Sequence, residues 1–177
     1  MRQILVYVML FVSINAQAEI AKLPLPNNGN FIANMPCGAQ PVAINSAVGV
    51  TNALQCRADD GRSVCIFSIA EQPLDIQSFS KWKFKFIEEV HKQYATQMDA
   101  NYRTISQRVT TVGGLGEVLI YELLRQQDGM VINVRGLWMV ANNKMLRGVV
   151  SCAPNQTTFM KQEKELFLQS FSILNKQ

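Results

Sequence analysis

Four cysteines, one histidine and a lysine-aromatic run are the residues of this chain with the most chemistry to offer. Cys37, Cys56, Cys65 and Cys152 contain no C-x2-C pair, and His91 lies apart from them, so the spacing suits neither a zinc site nor a redox-active dithiol. A Ser-His-Asp or Cys-His mechanism would have to run through His91, which follows the apolar Val90 in a helical pattern, where a solvated boundary histidine is the usual case. Paired carboxylates could make a hydrolase without histidine. Of these, Asp59-Asp60 belong to a turn and Glu163/Glu165 to a helix face. Gly113-Gly114-Leu115-Gly116 lacks the G-x-G-x-x-G order and leads into a strand, whereas phosphate cradles open a helix. In Lys81-Trp82-Lys83-Phe84-Lys85-Phe86, Lys81 and Lys85 share one helix face and Trp82 and Phe86 the next. Lys81, Trp82 and Lys85 therefore form a candidate surface for an anionic partner or membrane headgroup. The structural use of the same residues is a core of aromatics with lysines snorkelling at its rim. No catalytic, cofactor-binding or metal-ligating set emerges.

The first eighteen residues have the layout of a secretory signal peptide. Arg2 precedes an apolar run from Ile4 to Val12, and Ala16-Gln17-Ala18 forms an A-x-A site before Glu19. The run is too short to span a bilayer as a helix, and no later stretch is long and apolar enough to do so. The expected product is an exported, periplasmic or extracellular chain, with a lead-in loop over 19–30 and one globular domain over 31–177. Without Arg2, 16 basic residues face 13 acidic ones, a formal +3. That balance, in an exported chain, argues against nucleic-acid binding.

In an oxidising compartment, four cysteines read as two disulfides. Asp60-Gly61 is a favoured hairpin centre, and with it as the turn, opposite residues add to 121. Cys56 then faces Cys65 at a non-hydrogen-bonded site, where Cβ atoms approach closely enough for a bridge. Cys37 is left with Cys152.

Hydrophobic spacing supplies the elements that would hold these residues. Strands are expected over Phe31–Met35 and Ala43–Val50, then in a hairpin of 52–58 and 63–70. Apolar residues recur at three and four from Ile76 to Tyr94, which predicts a long helix over Asp75–Met98. A strand over Tyr102–Thr111 leads to a three-strand meander. With Asp128-Gly129 and Asn142-Asn143 as its turns, opposite residues add to 257 and 285. Leu119, Tyr121, Leu123, Ile132, Val134, Trp138, Met145 and Val149 then share one face. Val118, Ile120, Leu124, Leu137, Met139, Leu146 and Val150 share the other, with Glu122 opposite Arg135 as a cross-strand ion pair. Both faces are apolar, so the sheet should be covered on both sides. A second amphipathic helix is expected over Thr157–Phe171, using Phe159, Leu166, Phe167 and Phe171, before a short extended stretch at Ile173-Leu174.

This order, with a strand ending near Pro36, a hairpin, one long helix, a Gly-x-x-Gly turn into a meander and a final helix closing on Phe-Leu-x-Ser-Phe (Phe167 to Phe171), resembles the PsbP/Mog1-like α/β/α sandwich. The resemblance spans most of residues 31 to 174. It implies an α+β fold, a central antiparallel sheet with helices on both faces, and mostly non-catalytic accessory or binding roles. The expected function is thus an exported binding or accessory domain for a protein or envelope component, stabilised by two disulfides. The alternative is a small periplasmic hydrolase using carboxylates or His91.

Overall fold

Runs rich in Val, Ile, Leu and aromatic residues make the described part of this chain predominantly extended. The computed structural model describes residues 18–25, 29–46, 49–72, 101–141 and 144–175. Residues 1–17, and the whole of the helix expected over Asp75–Met98 with His91, Lys81, Trp82 and Lys85, lie outside the described residues. The strands are β1 (Glu19–Pro24), β2 (Gly29–Met35), β3 (Gln40–Ser46), β4 (Gly49–Asp59), β5 (Val64–Gln72), β6 (Asn101–Val112), β7 (Gly116–Gln127), β8 (Met130–Ala141), β9 (Lys144–Cys152) and β10 (Ser172–Asn175). Helix α1 (Thr158–Gln169) precedes β10.

Two antiparallel sheets result, one in the order β3-β4-β5-β9-β8-β7-β6 and a smaller one in the order β1-β2-β10. The expected sandwich with helices on both faces is therefore corrected. The described chain is mostly antiparallel sheet with one α-helix, and the small sheet occupies much of the face that a helix was expected to cover. Part of the reason lies in residues 19–30, expected as loop. Ala21 and Leu23 alternate inward and pair with Ala33 and Phe31, so Glu19–Pro24 forms an edge strand. Pro24 ends that strand, a position where proline is tolerated because a ladder N–H is dispensable.

The meander forms in the expected register. Glu122 faces Arg135 across β7 and β8, and Arg135 faces Val150 across β8 and β9. Each face of the large sheet buries its own cluster. Phe31, Met35, Phe67, Ile69, Val118, Met139, Leu146, Val150, Met160 and Phe167 meet between the sheets and α1. Leu119, Tyr121, Leu123, Val134, Trp138 and Met145 form a second cluster on the opposite side.

Helix α1 buries Met160, Lys164 and Phe167. Phe159 and Leu166, expected on its apolar face, are instead 50% and 59% exposed. The Phe-Leu-x-Ser-Phe segment is the hinge into the small sheet. Phe167 packs edge-on against Phe67 and Phe171, Phe171 stacks on Phe31, and the Ser170 hydroxyl accepts from the Asn34 amide at 2.8 Å. The segment that carried part of the family resemblance thus joins α1 to the small sheet.

Candidate functional site: a charged shelf beside helix α1

The four cysteines form two disulfides, Cys37–Cys56 and Cys65–Cys152. The expected pairing of Cys56 with Cys65 and Cys37 with Cys152 is corrected. The hairpin turns one residue later than expected: Gly61, at φ 78°, and Arg62 form its tip, and the Asp60 amide donates to the Ser63 carbonyl. Opposite residues then add to 123, which places Cys56 opposite Phe67. Cys65 instead faces Cys152 on the neighbouring strand β9, with Cα atoms 4.2 Å apart. Cys37, just beyond β2, reaches Cys56 on β4 and so joins the small sheet covalently to the large one. In the chain-entropy picture these loops contribute about 3 and about 4.5 kcal/mol.

The shifted turn is held by its own carboxylates and tied to α1. One Asp60 carboxylate oxygen accepts from the Arg62 and Ser63 amides, and the other accepts from the Thr157 hydroxyl at the N-cap of α1. The Thr157 hydroxyl in turn accepts from the Met160 amide at 3.2 Å. The Thr157 hydroxyl, the Ser63 amide and the other donors around Asp60 hold its carboxyl down at about 2. The acidic turn is thereby docked on the start of α1, and Asp60 has a structural task.

A second polar group sits where the sheet meets the flank of α1. Ser106, Glu122, Arg135 and Val150 form one row across β6, β7, β8 and β9. Glu122 lies 3.8 Å from the Arg135 guanidinium and accepts from the Asn133 amide group at 2.8 Å. Arg135 also pairs with Glu165 of α1. Lys164, only 8% exposed, donates to the Gln156 side-chain carbonyl at 2.8 Å. Burial, then the Arg135 charge, pushes its amine below the usual lysine range. The Glu122–Arg135 pair was legible from the meander register. Lys164 was not, although it follows Met160 by four and precedes Phe167 by three, the spacing of a shared helix face.

Beyond this group the sheet face opens to solvent. Arg103, Ser106 and Arg108 on the edge strand β6 are exposed, and Ile120 and Leu124 on β7 are half-buried. A groove along α1 is lined by Thr158, Lys161, Gln162, Glu165, Leu166 and Gln169 among its residues, all from that helix. Among the described residues its lining comes from one element, whereas a catalytic pocket gathers polar groups from several. Among the described residues, no three His, Cys, Asp or Glu side chains are grouped to hold a metal ion, and no helix is long and apolar enough to cross a membrane.

No family model matches the chain, and no curated protein does. The chain is similar in structure to PA94 from Pseudomonas aeruginosa, a protein of unknown function, at 11% identity and a TM-score of 0.52, over 85% of this chain and 94% of that one. This shows a shared fold. LpqN of Mycobacterium tuberculosis, a protein involved in cell envelope biogenesis, aligns over 87% of this chain and 91% of its own at 11% identity. Its TM-score is 0.40.

Proposed function

We propose that this chain is an exported accessory domain that binds a protein or envelope component and performs no chemistry of its own. The pairing of all four cysteines carries the reading, because protein thiols form and keep such bonds in oxidising compartments. The layout of residues 1–18 as a cleavable leader supports the same compartment. Asp60 caps a turn and accepts from the N-cap hydroxyl of α1, while Glu122 and Glu165 share Arg135, so these carboxylates have structural partners. The order of hairpin, meander and closing helix supports a relationship to the PsbP/Mog1-like family, whose members are mostly accessory or binding proteins. The test is fractionation of a bacterial host expressing the full chain, with thiol alkylation before lysis and intact mass on the recovered protein. The expected product begins at Glu19, sits in the periplasm and takes up no alkylating agent. An uncleaved cytosolic protein with four alkylated cysteines would overturn the reading.

A further inference from the structure

The α1-side face of the large sheet is closed by the small sheet and α1 over β4, β5, β9 and the Val118, Leu137 and Met139 positions of β7 and β8, whereas Arg103, Ser106 and Arg108 on β6 and Glu122, Leu124, Asn133 and Arg135 toward the β7–β8 turn are exposed or half-exposed. Strand register places Arg103 beside Leu124 and Arg108 beside Ile120, on the same face as Glu122 and Arg135. Lys164 and Glu165 of α1 stand next to Arg135. The shelf therefore carries Arg103, Arg108, Arg135 and Lys164 against Glu122 and Glu165. The two carboxylates are engaged with Arg135, which leaves the shelf with a surplus of positive charge along β6.

The arrangement is elongated. The partners of Arg103 and Arg108 are four residues apart on β7, about 13 Å at the rise of a strand. Leu124 and Ile120 lie half-buried beside the two guanidinium-bearing residues. That spacing sets the two cations along the strand, which matches charges distributed along an extended chain. An extended peptide with acidic residues at separated positions and apolar ones between them would meet both arginines and cover both aliphatic side chains. Among the described residues β6 pairs with β7 alone, so its outer edge also offers backbone groups to an incoming strand.

Resting on the binding role argued above, we propose that the β6–β8 shelf docks an extended acidic segment of a protein partner, with Arg103 and Arg108 as its anchoring cations. The experiment is selection of the mature, disulfide-bonded protein against a displayed library of random ten-residue peptides. Selected peptides are then titrated by fluorescence anisotropy against the parent and the Arg103→Glu/Arg108→Glu variant. The variant's circular dichroism and unfolding midpoint are checked against the parent, and Arg103→Lys/Arg108→Lys serves as a second, charge-conserving variant. The proposal expects enrichment of net-negative peptides, affinity weakened at least tenfold in the glutamate variant, and at least partial retention in the lysine variant. No enrichment, enrichment of uncharged or basic peptides, or equal binding by parent and glutamate variant would overturn it. Arginine-dependent sedimentation with phosphatidylglycerol vesicles, without acidic-peptide binding, would overturn it in favour of a membrane surface. Each of these failures leaves the alkylation and fractionation result standing, so the shelf and the export reading are tested separately.

Discussion

The ring of Phe171 lies against the backbone of Gly148, so closely that a Cβ at that glycine would come within 2.2 Å of the ring. Gly148 is the notch in β9 that lets the segment after α1 settle on the large sheet and continue into β10. Because Phe171 is also packed by Phe31 and Phe167, the ring has little room to withdraw. Gly148→Ala should therefore cost about 2 kcal/mol, the range of overpacking in a filled core. Phe171→Ala should cost about 3–4 kcal/mol through lost burial and the cavity left behind. In the Phe171→Ala background Gly148→Ala should become nearly neutral, since the clash is gone. Denaturant unfolding of the four proteins measures this, and an equal cost of Gly148→Ala in both backgrounds would refute the contact.

Asp60 predicts an acid-sensitive anchor between the β4–β5 turn and α1. Its folded carboxyl, near 2, lies below the ordinary 3.8, so its stabilising contribution is fully present above about pH 4 and is lost as pH falls toward 2. Thr157→Val removes the largest cause of that depression. NMR titration of the Asp60 carboxyl should then show a higher midpoint, and the unfolding midpoint of the variant should fall less steeply between pH 4 and 2. An unchanged titration would mean that the Thr157 hydroxyl does not hold the carboxylate.

The same turn shows where sequence reasoning reaches its limit. Asp128-Gly129 and the pair at 142–143 gave the observed registers because strands of period two lock each hairpin from both sides. At Asp60-Gly61 the turn is displaced by one residue, held by the Asp59 and Asp60 carboxylates on the Gly61, Arg62 and Ser63 amides and tied to Thr157, 97 residues away, and that displacement places Cys56 opposite Phe67 rather than Cys65. Helix α1 shows a similar limit. Its hydrophobic residues suggested a face through Phe159 and Leu166, but the packed face runs through Met160, Lys164 and Phe167, with a charged residue at its centre. The shelf combines a legible pair, Glu122 and Arg135, with a helix residue, Glu165, whose approach depends on tertiary packing.

Lys164 carries its own prediction. Its amine loses its proton below the ordinary lysine value of 10.5, chiefly through burial and then through Arg135. Between the folded and unfolded values the unfolded chain binds more protons, so stability rises with pH through that window up to about 10.5. Lys164→Met should flatten this alkaline rise and leave stability at pH 7 unchanged or about 1 kcal/mol higher, as expected when a buried charge becomes a well-packed apolar side chain. Urea unfolding from pH 7 to 10 checks both points. A loss of about 3 kcal/mol on substitution would instead make the amine an indispensable partner of Gln156.

Which sulfur meets which decides how the two sheets are joined. Protein purified from the host envelope fraction, digested without reduction and read by mass spectrometry, tests this directly. The structure predicts peptides linked through Cys37–Cys56 and Cys65–Cys152, with no free thiol. Peptides linked through Cys56–Cys65, or four unpaired cysteines in protein that is otherwise folded, would contradict it.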